Sequence, residues 1–379
     1  METKLLNGNN KEAIAEASKI LQDGGLVAFP TETVYGLGAD ALNADAAAKI
    51  YAAKGRPSDN PLIVHIADTD AVEKLADLET MNRTHPDMVK KAHMLMDACW
   101  PGPLTIIFPK LAIVPDGTTG GLPTVAIRMP SHPIAQELIR TSGVSIAAPS
   151  ANTSGRPSPT TAQHVWEDMD GRIEMILDGG AVGIGIESTI VDMTGTIPTI
   201  LRPGFITKTM LSEIVGDVTI DPAIIEPDPN LRPKAPGMKY THYAPHGTLS
   251  IVEAVADESA NRASLHSGVK VSYNATEAET LRVAEKIKAL VNEKEAQGYK
   301  VAILTTKEHA SLYKNYSHVL IVGEGSKGQT ISARLYAALR ECDSEQMEYM
   351  YSEAFDQNEL GGAIMNRLLK AAGHRVITV

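Results

Sequence analysis

The sequence has few cysteines and no long apolar run. Its 379 residues include two cysteines, Cys99 and Cys342, and two distant thiols build neither a disulfide framework nor a thiolate metal site. No apolar stretch approaches the roughly 20 residues that cross a bilayer, and the first residues have no apolar core of a signal peptide. We therefore expect a cytoplasmic protein without membrane contact.

Positive charge and aromatic residues are also scarce. The chain has 35 Lys and Arg against 46 Asp and Glu, a formal net charge of −11. A protein that binds RNA through phosphates needs a clustered positive surface, so a non-catalytic RNA-binding module is the weaker alternative. Aromatic residues make up 4% and hydrophobic residues 43% of the chain, so its cores must consist mainly of Ala, Val, Ile and Leu.

The length favours two domains, and the first extends over residues 1–218. Strands are predicted at Leu26–Pro30, Leu62–Ile66, Leu104–Phe108, Val125–Met129, Ser145–Ala148, Glu174–Leu177, Thr189–Val191 and Thr199–Leu201. Helices are predicted at Ala44–Ala53, Val72–Leu78, Met88–Ala98, Pro133–Thr141 and Thr161–Glu167. This order indicates an α/β domain with a twisted mixed sheet and flanking helices.

The composition changes at residues 219–246. Five prolines between Asp221 and Pro236 exclude a helix or a central strand, so a semi-rigid linker is predicted there. Residues 247–379 then predict a smaller, doubly wound (Rossmann-like) α/β domain. Its strands are predicted at Leu249–Val252, Val269–Tyr273, Lys300–Leu304, Val319–Val322 and Met347–Tyr351, and its helices at Glu277–Ala296, Ile331–Arg340 and Gly362–Ala372.

Familiar nucleotide-binding motifs give no lead. The G-x-x-x-x-G-K-[ST] motif is absent, and we identify no convincing G-x-G-x-x-G turn. No Ser-His-Asp arrangement, glycosidase carboxylate pair or His/Cys metal spacing stands out either. A nucleotide site must therefore be built from scattered cations and hydroxyls.

Three segments carry such groups. Phe29–Gly38 (FPTETVYGLG) follows a strand, although by itself it is more typical of an ordinary strand-to-helix connection. Lys54 and Arg56 end a helix close together, which suits either a polyanion or a helix C-terminus. In Ser145–Pro159 a short strand ends in a loop rich in hydroxyl, amide and guanidinium groups, which favours a phosphate cradle, although its end, Pro157–Pro159, is also typical of a surface turn.

Single polar residues in apolar surroundings add to these segments. Arg128 lies within an apolar strand, so it must face a cleft or be paired, and a fixed guanidinium suits a carboxylate. Ser188 stands at a strand start and Arg202 just before a turn. His65 alone is more typical of a packed core histidine. Together these groups indicate catalysis by positioning and charge stabilisation of a nucleotide.

In their order along the chain, these segments resemble the threonylcarbamoyl-AMP synthase family, which is built on a YrdC-like domain, in its two-domain form. The matching pieces are FPTETVYGLG, Lys54-x-Arg56, Ser150-x-Asn152, ESTIVD, LRPG and the linker motif APGMKYTHYAP. Ala235 opens the linker motif where Ser is common in the family. The resemblance implies an enzyme that converts L-threonine, bicarbonate or CO₂, and ATP with Mg²⁺ into threonylcarbamoyl-AMP and pyrophosphate. A separate machinery then transfers the group to tRNA beside the anticodon, so direct tRNA binding is expected to be weak or absent.

The resemblance also implies roles for individual residues. L-threonine is expected to contact Thr33, His65, Arg128, Ala148 (through its backbone) and Ser188. ATP is expected to contact Arg56, Asn60, Thr124, Ser150, Ser158, Arg202 and Tyr243. Lys54 and Asn152 join Arg56 and Ser150 as the catalytic signature, and no protein side chain is assigned to the metal ion.

A related alternative is the carbamoyltransferase of hydrogenase maturation, which also contains a YrdC-like domain. That protein carries zinc-finger cysteines, and two cysteines in the whole chain argue against it.

Overall fold

The computed structural model describes residues 1–224, 234–236, 242–254, 275–355 and 359–379. They divide into two compact units, one comprising Met1–Ser154 and Ser158–Lys239, the other Gly155–Pro157 and Tyr240–Val379. Within these ranges no helix has the length and apolarity needed to cross a membrane.

The first unit contains one mixed sheet. Its strands are β1 (Lys4–Asn7), β2 (Val27–Phe29), β3 (Gly36–Asp40), β4 (Ile63–His65), β5 (Leu104–Pro109), β6 (Thr124–Arg128), β7 (Ile146–Ala147), β8 (Met175–Asp178), β9 (Thr189–Asp192), β10 (Thr199–Arg202) and β11 (Thr219–Ile220). They are arranged in the order β1-β8-β2-β3-β7-β4-β6-β5-β9-β10-β11. Parallel pairs such as β4–β6 alternate with antiparallel pairs such as β5–β6, so the predicted mixed sheet is confirmed.

Helices flank this sheet. They are α1 (Lys11–Gln22), α2 (Ala44–Lys54), α3 (Leu78–Thr84), α4 (Pro86–Cys99), α5 (Asp116–Thr119), α6 (Pro133–Ser142), α7 (Ala162–Met169) and α8 (Lys208–Val215). The α1 helix begins at Asn10, whose side chain accepts from the Glu12 N–H. The α2 helix ends at Gly55, whose φ of 62° lies in the left-handed region that favours glycine.

The two faces of the sheet are covered differently. Val64, Ile106 and Ile127 point into the main core, together with α2, α4 and α7. On the opposite face, α1 and α6 pack against β2, β7 and β8. Further along that face, β4, β5, β6 and β9 contribute only a small apolar cluster. Half of this face is therefore available for a site.

The second unit contains a parallel sheet of five strands in its described part. They are β12 (Thr248–Glu253), β13 (Val301–Thr305), β14 (Val319–Ile321), β15 (Tyr349–Glu353) and β16 (Val376–Thr378), in the order β14-β13-β15-β12-β16. Its helices are α9 (Glu277–Ala296), α10 (Gly328–Ser344) and α11 (Glu359–Ala371). The α9 helix covers one face, and α10 and α11 contact each other on the other, so the doubly wound fold is confirmed.

Several sequence-based predictions were wrong or incomplete. The helix predicted at Val72–Leu78 is replaced by a 3-10 helix (Thr69–Lys74) followed by α3. FPTETVYGLG does not connect a strand to a helix but joins the antiparallel strands β2 and β3. The elements α1, α5, α8, β1, β3, β11 and β16 were not predicted. The predicted strand Val269–Tyr273 lies outside the described residues.

The predicted linker, residues 219–246, is described in part. Thr219–Ile220 pairs with β10 and so extends the first sheet just beyond the predicted boundary at residue 218. Pro222–Ile224 forms a 3-10 turn. Ala235 is fully buried among Ile63, Ile107, Ala126, Ile190 and Leu201 of the first unit.

Candidate active site

Polar side chains form a row at one end of the larger sheet. His65 ends β4 and Arg128 ends β6, and the two residues are paired in parallel register. Thr105, near the start of the antiparallel β5, is also paired with Arg128. Residues in register point to the same face, so these three side chains are neighbours on the half-face that α1 and α6 leave uncovered.

Arg128 is buried and held by several partners. Its Nη2 lies 2.6 Å from Oε1 of Glu32. Its Nη1 donates to Oγ1 of Thr33 at 3.0 Å, and its Nε donates to the Gly102 carbonyl at 3.4 Å. Thr33 in turn shares a 2.8 Å hydrogen bond with the hydroxyl of Thr31. The result is a fixed guanidinium beside hydroxyls, which is a receptor for carboxylates, and Glu32 supplies the carboxylate in this structure.

His65 is a neutral imidazole in this setting. Burial, with the nearby Arg128 guanidinium, lowers the pKa of His65 to about 3. Its Nδ1 lies 3.1 Å from the Ile63 carbonyl, and because a carbonyl only accepts, Nδ1 carries the proton. His65 therefore offers hydrogen bonding without charge at neutral pH.

Ser188 and Arg202 extend this row. The Ser188 hydroxyl lies 2.8 Å from the Thr105 hydroxyl. Arg202 donates through Nε to the Ser188 carbonyl (3.0 Å) and through Nη2 to its hydroxyl (3.1 Å). Arg202, expected to contact ATP, thus lies beside a residue expected to contact threonine. The turn after Arg202 lies close to the Ser188 backbone, and this requires glycine at position 204, because a Cβ there would stand 2.5 Å from the Thr189 nitrogen.

A second group surrounds Lys54 at the end of α2. Its ammonium donates to the Ser150 carbonyl at 2.5 Å and to the Asn152 carbonyl. Ser150 Oγ donates to Asn152 Oδ1 at 2.5 Å. Lys54 therefore shapes the Ser150–Asn152 loop. Just before this loop, the Ala148 N–H donates to the Ile63 carbonyl at 2.8 Å, so Ala148 has only its carbonyl to offer as a further backbone contact.

Arg56 and Asn60 form a third group. Arg56 donates to the carbonyls of Asn60 (3.3 Å) and Pro61 (3.1 Å), and Tyr51 OH donates to Asn60 O at 3.2 Å. Asn60 is 1% exposed, and its Oδ1 makes no hydrogen bond within the described part of the chain. A buried amide oxygen of this kind is a ready acceptor for a ligand or for a water that a ligand holds.

Thr124 and an apolar patch connect these groups. Thr124 starts β6, four residues before Arg128, so the two lie about 13 Å apart along one strand. Asn60 precedes β4, which is parallel to β6, and Ser150 follows β7, which is antiparallel to β4. Both residues therefore lie at the end of the sheet where Thr124 starts β6. Between the two ends, Ile63 and Ala126 line the face, and Ala235 packs on them. The Pro236 carbonyl accepts from Arg202 Nη1 at 3.3 Å.

Two further predicted residues have partners other than the members of these groups. Ser158 is fully buried, and its hydroxyl donates to Glu187 Oε1 at 2.6 Å, so it is not part of a surface turn. Tyr243 belongs to the second unit, where it adopts a φ of 68° and packs against Tyr336, with ring centroids 5.1 Å apart. The linker residues 237–241 lie outside the described residues.

The sequence alone did not single out Glu32, Thr105 or Glu187 as partners of the site. Thr105 could have been noticed as a hydroxyl within the apolar run Leu104–Phe108. Glu32 is the one carboxylate within FPTETVYGLG. Among the described side chains, no group of three or more His, Cys, Asp or Glu residues is arranged to hold a metal ion.

Comparisons with known proteins match the whole chain. Residues 19–204 match a family described as telomere recombination, and residues 206–373 match the threonylcarbamoyl-AMP synthase C-terminal domain. The threonylcarbamoyl-AMP synthase of Bacillus subtilis (strain 168) is 46% identical over 97% of this chain and 95% of its own length. That of Pyrococcus abyssi is 41% identical over 98% of each chain. The crystal structure of P. abyssi Sua5 complexed with L-threonine superposes with a TM-score of 0.84 at 40% identity, covering 100% of each chain. The chain therefore belongs to the family of threonylcarbamoyl-AMP synthases, enzymes that form an adenylate.

Proposed function

We propose that this chain converts L-threonine, bicarbonate or CO₂, and ATP into threonylcarbamoyl-AMP and pyrophosphate. The observation that carries the proposal is the arrangement of one sheet face. A fixed guanidinium with hydroxyls and a neutral imidazole stands at one end, and two buried cations with amide and hydroxyl groups gather towards the other. Threonine carries a carboxylate and ATP carries phosphates, and this face offers each of these anionic groups a cationic partner.

L-threonine binds at the end of the face that carries Arg128. The substrate carboxylate pairs with the Arg128 guanidinium, which uses three of its five N–H groups in the bonds to Glu32, Thr33 and Gly102. His65 and Ser188 contact the amino and hydroxyl groups of the substrate. Neutral His65 supports this role, because a charged imidazole would repel the ammonium form of the substrate.

ATP binds towards the other end of this face. Arg56 and Asn60 with the Ser150–Asn152 loop surround its phosphates, and Thr124, Ser158 and Arg202 complete the proposed contacts, while the contact expected of Tyr243 stays a prediction. We propose that Mg²⁺ is bound with the nucleotide, since it usually takes phosphate oxygens and waters with few protein ligands. The Asn60 Oδ1 atom fits such a water. The ion offsets negative charge on the phosphates and on leaving pyrophosphate.

The chemistry needs positioning more than covalent help from the protein. The threonine amine adds to CO₂ and releases a proton to solvent, which gives a carbamate. Starting from bicarbonate, the hydroxide that leaves takes up this proton and departs as water. A carbamate oxygen then forms a bond to the α-phosphorus of ATP, and the bond to pyrophosphate breaks. Lys54 and Arg56 lower the repulsion between the two anions, partly by holding the loops that contact the phosphates.

The wider setting is part of the same proposal. The product is passed to a separate tRNA-modifying machinery that transfers the threonylcarbamoyl group, and this chain binds tRNA weakly or not at all. A cytoplasmic location is supported by Cys99 and Cys342, which are both free thiols.

Pyrophosphate release tests the proposal. The purified chain is incubated with ATP, Mg²⁺ and bicarbonate, with and without L-threonine. We expect release to require L-threonine and the product to be an adenylate that carries threonine. Carbamoyl phosphate in place of L-threonine separates the two enzyme candidates. Pyrophosphate release that requires carbamoyl phosphate and does not occur with L-threonine would favour the carbamoyltransferase reaction. If ATP is consumed in neither mixture, both enzyme candidates are rejected.

A further inference from the structure

The second unit has a crevice at the carboxyl edge of its parallel sheet. β12 leads to α9 on one face, and its neighbour β15 leads to α11 on the other. Adjacent strands whose connections leave to opposite faces form a topological switch point, where open α/β sheets bind ligands. The sequence motifs assign no role to residues at this edge of the sheet.

A cavity of about 330 Å³ opens at this position. It is lined by the ends of the neighbouring strands β13 and β15 and by the loop before α10, including Thr306, Glu308, His309, Gly325, Ser326 and Glu353. A smaller cavity of about 50 Å³ shares His309 and Glu353 and adds Val252, Glu253 and Val283. The larger volume falls within the range of small-molecule sites.

Glu253 is the feature that points to a ligand. It ends β12, is 5% exposed and lines the smaller cavity. Its Oε1 is buried and has no hydrogen-bond partner within the ranges that the structure describes. An unpaired buried carboxylate is costly, whereas Glu353 nearby accepts from Tyr313 OH (2.7 Å) and lies 2.8 Å from His309 Nδ1.

A glycine-rich loop lies at the other end of the crevice. Gly323-Glu324-Gly325-Ser326-Lys327-Gly328 follows β14 and leads directly into α10, which is a G-x-G-x-x-G pattern between a strand and a helix. Gly323 is required, since a Cβ there would stand 2.6 Å from the Ile331 nitrogen.

The loop already binds an anion within the chain. The Gly325 N–H donates to Glu308 Oε2 at 2.8 Å, and the Ser326 N–H also contacts this carboxylate. These backbone donors lower the pKa of Glu308. Glu308 is an exposed residue and can swing away. Its carboxylate therefore stands in for the anionic group of a ligand.

We propose that this crevice binds a ribonucleotide with an amino-bearing base. The phosphate replaces the Glu308 carboxylate on the glycine-rich loop, the ribose hydroxyls donate to Glu353, and the base amino group donates to Glu253. From β14 to β12 is three strand spacings, about 14 Å, and the polarity along that span matches a nucleotide from phosphate to base. The apolar side chains of Val252 and Val283 lie next to Glu253, as a base requires.

AMP binding to the full-length protein tests the proposal by calorimetry. Glu308→Ala should tighten AMP binding about three- to tenfold, because it removes the competing carboxylate, and it should leave adenosine binding unchanged. Glu253→Leu should weaken AMP and adenosine binding at least tenfold. Glu293→Ala, an exposed change of equal charge on α9, serves as the control, and melting temperatures verify folding.

The Arg56→Ala variant distinguishes the two proposed nucleotide sites, because it weakens nucleotide binding only in the first unit. AMP binding that Arg56→Ala abolishes and that neither Glu308→Ala nor Glu253→Leu alters would overturn the inference and leave the proposed synthase activity intact. Binding of Mg²⁺ or Mn²⁺ to the crevice without AMP would overturn it as well. In the Arg56→Ala background, tighter AMP binding in Glu308→Ala together with weaker AMP binding in Glu253→Leu would establish the inference.

Discussion

At the scale of single residues, Arg128 joins three parts of the chain. It is 4% exposed and donates to Thr33, to the Gly102 carbonyl and to Glu32. A lysine at this position keeps the charge but loses the planar fork that these partners and a substrate carboxylate need. The identity of this residue therefore matters more than its charge.

We expect Arg128→Lys to raise the KM for L-threonine about 10- to 100-fold, which corresponds to the loss of about 1.5–3 kcal/mol for a charge-assisted hydrogen bond. The KM for ATP should change much less. Steady-state pyrophosphate release measures both constants. Arg83→Lys on α3 is the control. An unchanged threonine KM in Arg128→Lys would contradict the assigned carboxylate contact.

Gly204 shows how a residue without a side chain shapes the site. An added Cβ would stand 2.5 Å from the Thr189 nitrogen and 2.8 Å from the Glu187 carbonyl. We expect Gly204→Ala to destabilise the protein by about 1–3 kcal/mol and to raise the threonine KM, because the turn must move away from Ser188. Gly183→Ala, where a Cβ would meet open space, is the matched control. Equal melting temperatures for the two variants would contradict the steric argument.

Glu253 gives stability a pH dependence. Burial raises its pKa from 4.5 to about 7. Between these values the folded state binds more protons than the unfolded state, so Glu253 lowers the free energy of unfolding as the pH rises from about 4.5 to 7. We compare the free energy of unfolding of Glu253→Gln with that of the wild type at each pH. We expect the difference, variant minus wild type, to be about 1–2 kcal/mol larger at pH 8 than at pH 4.5, after allowing for solvent screening. Urea unfolding at both pH values measures this difference, and an identical pH dependence in the two proteins would rule out the raised pKa.

At the scale of elements, Lys54 fixes a loop to a helix. It is the last residue of α2, and its ammonium contacts the carbonyls of Ser150 and Asn152. A compact ammonium fits between carbonyl oxygens in a way that a planar guanidinium does not. Its part in the proposed reaction is therefore partly to position the Ser150–Asn152 loop.

We expect Lys54→Ala to lower the rate of adenylate formation about 10²- to 10³-fold, which corresponds to about 2–4 kcal/mol of transition-state stabilisation. Lys54→Arg should fail to restore it. Single-turnover measurements with radiolabelled ATP give the rate. Lys90→Ala, an exposed position on α4, is the control, and near-wild-type rates in Lys54→Ala would reject the role.

The elements could be predicted from the sequence where one pattern determines them. Apolar runs predicted the central strands β4, β5 and β6 within a residue or two, and α9 coincides with its prediction. β3 was missed because its sequence, GLGAD, has two glycines, and the edge strand β1 because it is short and mostly exposed. α1 was overlooked although its Asn10 cap and apolar spacing are visible in the sequence.

The pairing of the elements could not be predicted in the same way. Register brings His65 beside Arg128 and Thr105, and these residues are far apart in the chain. The bond from Ser158 to Glu187 likewise depends on how two loops meet. The glycine-rich pattern before α10 is present in the sequence, yet it follows the third strand of its domain and was not identified as a nucleotide motif. Ala235 fills an apolar patch that only the folded sheet creates.

At the scale of the whole molecule, the assigned site residues are divided unequally between the two units. All of them except Tyr243 belong to the first unit. The second unit has its own parallel sheet and its own apolar core around α9, with buried residues such as Val283, Ile287 and Ile303. A core of this kind is what an independently folding domain requires.

We therefore expect a fragment of residues 246–379 to fold and to make no adenylate. Circular dichroism and a single cooperative melting transition test its folding. Pyrophosphate release with ATP, L-threonine and bicarbonate tests its activity, and the full-length chain at equal concentration is the positive control. Threonine-dependent release by the fragment would place catalytic groups in the second unit and refute the assignment of the site to the first. A fragment that fails to melt cooperatively would show that the second unit depends on the first for its fold.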